Sequence, residues 1–233
     1  PQTIELHFAL GSLFRRRGEV ERAIRMHQNL AERPDLEPEQ RIQAVYELAQ
    51  DYFKAGLLDR AEDFFRQLEG TRLEELSLGF LLDIYEQEKA WDQAVATAGR
   101  LEVLSGQSRQ KEIANFFCEK ATRDMMQSRF DAARPHLAQA LVHHRLCVRA
   151  NMLLGDLERS VGNDELAIEA WKRVESQNPD YVPLVAERLI EAYRRLGLAA
   201  EGLTLLKGYL ARYSSIYLLY VTFLADLQAS VAH

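Results

Sequence analysis

The sequence predicts an all-α fold, a right-handed superhelical solenoid of about six helical hairpins followed by a C-terminal partial repeat. Three observations predict it. A local pattern, a turn residue with a small residue five positions later, recurs six times along the chain. Between recurrences the apolar residues follow the 3.6-residue period of helices. Thr, Val and Ile are scarce and no useful stretch alternates apolar with polar, so essentially no strand is expected.

Taken in order, the pattern is GEVERA at 18–23, GLLDRA at 56–61, KAWDQA at 89–94, SRFDAA at 128–133, GNDELA at 162–167 and GLAAEG at 197–202. Its small residues, Ala23, Ala61, Ala94, Ala133, Ala167 and Gly202, are spaced by 38, 33, 39, 34 and 35 residues. That clusters on the 34-residue period of tetratricopeptide repeats, which the residues also resemble. Leu154, Gly155, Gly162, Ala167, Trp171 and Pro179 follow that family's pattern, as do Leu10, Gly11, Phe14, Gly18 and Ala23, and Leu48, Ala49, Tyr52, Gly56, Ala61 and Phe65. The repeats are placed at about 4–37, 42–75, 75–108, 114–147, 148–181 and 183–216, with a partial seventh at 216–233, as one solenoid domain.

Each position has a physical reason. Offsets 4, 7, 8 and 11 of a first helix share one face, so Leu48, Ala49 and Tyr52 point together onto the second helix. Small residues belong where two backbones approach: Gly11, Ala49, Ala121 and Gly155 in first helices, the alanine series in second ones. Gly18, Gly56, Gly162 and Gly197 suit a turn that needs positive φ, while Lys89 and Ser128 stand where the others have glycine. The two long spacings mark insertions. Two prolines in Arg33–Pro38 stop one helix, and Pro38 fits the first turn of the next; Ser105–Arg109 reads as a polar loop. Pro135 is expected in the first turn of its helix. The last helix, 216–229, lacks a second helix, so it is expected either to cap the sixth repeat or to expose Leu219, Phe223 and Leu227 to a neighbouring molecule, a dimer being one outcome.

Composition narrows function. The chain has 233 residues, 47% of them hydrophobic, and 29 Lys plus Arg against 35 Asp plus Glu give a net charge of −6, which argues against nucleic-acid binding. Two cysteines 29 residues apart, Cys118 and Cys147, fit a reducing compartment better than a disulfide scaffold. The longest apolar run, 216–227, has 12 residues where a membrane span needs about 20. Opening on Pro1 without a charged-then-apolar leader and stopping inside that run, the sequence reads as part of a longer protein.

Catalytic chemistry finds no recognisable spacing: there is no HExxH, GxSxG, phosphate loop, GxGxxG after a strand or EF-hand loop, so the chain is read as a non-enzyme without cofactor or metal sites. His143, His144 and Cys147, with His136 a helix earlier, form the nearest thing to a metal cluster, yet adjacent histidines diverge and no second cysteine pair completes a tetrahedron. Cys118 reads as a small core residue. Tyr52, Phe65, Tyr85, Trp91, Trp171 and Tyr193 recur at repeat offsets and are read as core.

What remains is the inner wall formed by offsets 2, 5, 9, 12 and 13 of the first helices. It holds Arg15 and Arg16; Tyr46, Gln50 and Lys54; Asn115; Arg149, Met152 and Arg159; and Arg194 and Arg195. These are the candidate partner-binding residues, and their arginines suit carboxylate-bearing segments.

Beyond the generic repeat, LGSLFRRRGEVERAIRMHQNL at 10–30, GLLDRAEDFFRQL at 56–68 and EIANFFCEKA at 112–121 resemble the cytoplasmic repeat region of the bacterial lipopolysaccharide assembly protein B family. The resemblance implies an inner-membrane protein with an N-terminal anchor, repeats on the cytoplasmic side and a C-terminal rubredoxin-like metal domain with paired CxxC motifs, which Cys118 and Cys147 do not match. It implies a regulatory adaptor that restrains lipopolysaccharide synthesis by helping a membrane-anchored AAA+ protease, FtsH, degrade the lipid A pathway deacetylase LpxC. The alternative from the residues is a co-chaperone-like or assembly groove that binds an acidic peptide segment.

Overall fold

The computed structural model describes residues 2–231, which contain thirteen α-helices and no strand. The chain divides into two compact units, Pro1–Arg109 and Gln110–His233, that part at the polar Ser105–Arg109 stretch. The first holds α1 (Gln2–Arg16), α2 (Val20–Ala31), α3 (Pro38–Lys54), α4 (Leu58–Arg66), α5 (Glu74–Gln87) and α6 (Trp91–Ser105). The second holds α7 (Gln110–Met126), α8 (Phe130–His143), α9 (Val148–Ser160), α10 (Asp164–Gln177), α11 (Val182–Arg195), α12 (Ala199–Arg212) and α13 (Ile216–Val231), with a 3-10 turn at Pro179–Tyr181. In both units successive helices pair as hairpins, α1 with α2 through α11 with α12.

The hairpins close where large side chains meet small ones. Ala23, Ala61, Ala94, Ala133 and Ala167 are completely buried. One turn further along each second helix stands His27, Phe65, Ala98, Leu137, Trp171 or Leu206, all buried. Space for the larger of these comes from the first helix. A Cβ on Gly11 would lie 2.3 Å from His27 Nε2, and one on Gly155 would lie 2.2 Å from Trp171 Nε1. In the sixth hairpin the sizes are exchanged: Ile190 and Tyr193 press on Gly202, whose added Cβ would meet Tyr193 Cβ at 2.7 Å. Buried Trp171 keeps its polar atom satisfied by donating from Nε1 to the Met152 carbonyl at 3.2 Å.

Every hairpin turn uses one device. The amide three residues past the first helix's end donates to a carbonyl five residues back: Glu19 to Phe14, Leu57 to Tyr52, Ala90 to Tyr85, Arg129 to Asp124, Asn163 to Glu158 and Leu198 to Tyr193, at 2.8–3.0 Å. This bond requires a left-handed residue. Glycine supplies it at Gly18, Gly56, Gly162 and Gly197, whereas Lys89 (φ 56°) and Ser128 (φ 57°) adopt it against their side chains. Lys89→Gly and Ser128→Gly should therefore each stabilise the protein by about 1 kcal/mol. Urea denaturation checks this; an unchanged or lowered midpoint in both variants would contradict it.

Between hairpins, Pro38 opens α3 at its first position, behind a reciprocal capping box of Glu37 and Gln40. Gly106 ends α6 in the left-handed conformation. Pro135 departs from expectation. It lies inside α8, because that helix begins at Phe130 as soon as the Ser128 turn closes, and there its ring removes one intrahelical hydrogen bond. Trp91, at the first position of α6, is half-buried rather than core. In the first unit Phe80 of α5 stacks on Phe65 (4.8 Å between centroids) and meets Phe53 edge-on (5.3 Å), joining α5 to the α3–α4 hairpin. At the end of the second unit α13 caps the sixth repeat with one face and leaves the other exposed. Leu218, Val221 and Ala225 are buried in the core it shares with α11 and α12, while Leu219, Phe223 and Leu227 remain more than half exposed.

Candidate protein-binding surface

First helices lie side by side within each unit, and their candidate cations meet carboxylates on the neighbouring helix. In the first unit Arg15 (α1) donates to Asp51 Oδ1 at 2.7 Å and to Glu47 Oε2 at 2.6 Å on α3. In the second, Arg149 (α9) donates to Asn115 Oδ1 at 2.6 Å and pairs with Glu119 at 2.7 Å on α7. Arg159 (α9) pairs with Glu191 of α11 at 3.0 Å and stands over the Trp171 ring. Arg195 reaches Asp164 of α10 at 3.4 Å. Arg188 and Asp156 add a rung between α11 and α9 at 3.4 Å. Arg16, Lys54 and Arg194 are exposed, and Gln50 is half-buried. Tyr46 is drawn inward between Phe65 and Phe80, and Met152 packs on the second unit's core. Most of the candidate arginines thus tie repeats together. The signal sequence reading missed is opposite charge about one repeat away, 30–36 residues for the Arg15, Arg149 and Arg159 contacts.

The densest of these contacts is buried. His27 and Asp51 are completely buried, with His27 Nδ1 2.5 Å from Asp51 Oδ2. Arg15 holds the other Asp51 oxygen, and Glu47 also accepts from Ser12 Oγ at 3.1 Å and Gln43 Nε2 at 2.9 Å. Burial pushes the Glu47 carboxyl up, but the Arg15 hydrogen bonds and charge outweigh it and hold the group below the ordinary carboxylate range. A lowered folded-state value means its stabilisation is complete above the usual carboxylate pKa and is lost as pH falls through the folded value. A His–Asp pair resembles part of a catalytic relay, yet here its remaining ring nitrogen faces the Phe8 carbonyl at 3.5 Å and the Gly11 backbone. Through these contacts the network joins α1, α2 and α3.

The first unit also holds a recess of about 240 Å³ among α4, α5 and α6, lined by Phe65, Leu78, Leu81, Thr97 and others. From α6 it is lined by Gln93, Ala96, Thr97 and Arg100. At its rim Arg100 pairs with Glu69 at 2.6 Å and with Glu74, and Tyr85 donates to Glu62 at 2.8 Å. Burial and that carboxylate push the Tyr85 hydroxyl up to about 12.

The histidine-rich segment does not converge on a metal. His143 Nδ1 lies 2.8 Å from Gln110 Oε1 and its ring stacks on Phe117, while His136 Nε2 lies 3.4 Å from Asp124. Among the described residues no group of three or more His, Cys, Asp or Glu side chains is placed to hold a metal ion. Cys118 is buried, as expected of a core residue.

Comparison with known proteins gives this surface its context. A tetratricopeptide repeat family model matches residues 118–182. Lipopolysaccharide assembly protein B of Escherichia coli (strain K12) is 40% identical over 200 residues, 85% of this chain and 51% of that protein. Over that stretch the chain is similar to lipopolysaccharide assembly protein B. The Haemophilus influenzae protein of the same name is 36% identical over 193 residues, 82% of this chain and 48% of that protein. The chain thus spans about half the length of these curated relatives. Among solved structures, a crystal structure of MamA covers 78% of this chain and 96% of its own, at 18% identity and a TM-score of 0.46. Within the stretch shared with lipopolysaccharide assembly protein B, no helix of the described residues is long and apolar enough to cross a membrane.

Proposed function

We propose that this chain is the repeat scaffold of a lipopolysaccharide assembly protein, a non-catalytic adaptor that works by binding other proteins. Its partners in this reading are the membrane-anchored protease FtsH and the deacetylase LpxC, whose degradation it promotes to restrain lipopolysaccharide synthesis. The full-length protein is anchored in the inner membrane with these repeats facing the cytoplasm. The observation that carries the reading is the 40% identity to lipopolysaccharide assembly protein B across 85% of the chain. Helical hairpins with exposed first-helix residues such as Arg16, Lys54 and Arg194 are compatible with it. A basic groove for an acidic peptide fits less well, because Arg15, Arg149 and Arg159 already have acidic or amide partners.

The test is retention. Purified LpxC and detergent-solubilised FtsH, passed over the immobilised chain and over the full-length protein, should each be compared with an unrelated repeat protein. Specific retention of either is the expected result, and retention of neither by both baits would contradict the proposal.

A further inference from the structure

Cys118 sits in the middle of α7, and Cys147 is the residue immediately before α9. The hairpin between them brings their sulfurs to 3.9 Å. Cys118 is completely buried among Ala114, Ala140 and Ala150, while Cys147 is only partly buried. One thiol therefore meets solution and the other stands directly behind it. At the start of α9 the backbone amides of Arg149 and Ala150 are directed at Cys147, and Arg149 adds a cation that Glu119 of α7 shares at 2.7 Å.

We propose that Cys147 and Cys118 form a peroxide-responsive dithiol, in which a hydroperoxide oxidises Cys147 and Cys118 resolves it to a disulfide tying α7 to the start of α9. In the first step the Cys147 sulfur attacks a peroxide oxygen. An S–O bond forms, the O–O bond breaks, and the departing oxygen leaves as alcohol or water after taking a proton. In the second, the Cys118 sulfur gives up its proton and attacks Cys147 Sγ, so that an S–S bond forms and hydroxide leaves as water with that proton. Two thiols and one hydroperoxide become one disulfide, one alcohol and one water, and the two electrons pass from sulfur to peroxide.

The division of labour follows from the surroundings. The Cys118 thiol hydrogen bond, the two α9 amides and Arg149 outweigh burial and hold the Cys147 thiol below its ordinary value, which favours its thiolate. The same hydrogen bond, together with burial, pushes Cys118 up. It stays protonated until its partner has been oxidised.

The experiment exposes the 233-residue chain to a small molar excess of hydrogen peroxide at neutral pH and maps the cysteine peptides by mass spectrometry. Wild type should form no disulfide between chains, lose two hydrogens, join the two cysteine peptides and recover with dithiothreitol. Cys118→Ser should instead accumulate a dimedone-reactive sulfenic acid at Cys147, and Cys147→Ser should leave Cys118 unmodified at unchanged helicity. Iodoacetamide should alkylate Cys147 about two- to threefold faster than free cysteine at neutral pH. Independent oxidation of the two cysteines without an intramolecular link, or alkylation of Cys147 no faster than free cysteine, would overturn the proposal.

Discussion

Asp51→Ala should destabilise the first unit by about 3–5 kcal/mol, the loss expected when one member of a buried charge network is removed and the others stay behind. Asp51 is the common partner: one oxygen faces His27 and the other accepts from Arg15. Truncation leaves a completely buried imidazole with one fewer partner and a mostly buried guanidinium held only by Glu47 and its carbonyl. Replacing both central groups by apolar ones, His27→Phe with Asp51→Leu, should cost less than Asp51→Ala alone, because other hairpins fill the His27 position with Phe65 or Leu137. Urea unfolding followed by circular dichroism checks both. A double variant less stable than Asp51→Ala would show that the network contributes more than the avoidance of unpaired buried groups.

Trp171→Ala should lower stability by a similar amount, about 3–5 kcal/mol. Trp171 has no exposed surface and is the largest fully buried side chain. It reaches across the hairpin to Gly155 and donates to the Met152 carbonyl, so truncation removes packing and a hydrogen bond together and leaves a cavity walled by α9 and α10. Phe at this position should recover most of the packing but not the hydrogen bond. Thermal unfolding of the two variants separates these contributions, and a Phe variant as unstable as the Ala variant would assign the loss to the hydrogen bond instead.

The architecture was legible because its signals are local. A turn residue five positions before an alanine locates each hairpin, and it locates the Lys89 and Ser128 turns as firmly as the glycine ones, since the same backbone bond closes all six. Pro135 misled because a proline alone suggests a helix start, whereas the turn at Ser128 sets where α8 begins. Bulk after the alanine series was readable as core, whereas the recess among α4, α5 and α6 is lined by residues of three helices that no local pattern joins. The wall residues were placed correctly on first helices, yet whether Arg15 or Arg149 is available depends on Glu47, Asp51 and Glu119, which lie about a repeat away in sequence and adjacent in space. The approach of Cys147 to Cys118 has the same origin: the α8 helix folds back, and a separation of 29 residues becomes 3.9 Å.

The account rests on hairpins that close by setting a large side chain against a small one, and a double-mutant cycle at Gly155 and Trp171 measures that directly. Gly155→Ala should be strongly destabilising in wild type, where its Cβ would lie 2.2 Å from the indole. In the Trp171→Ala background the same change should be neutral or stabilising by up to about 1 kcal/mol, since alanine favours helix over glycine. A Gly155→Ala effect of equal size in both backgrounds would contradict the account.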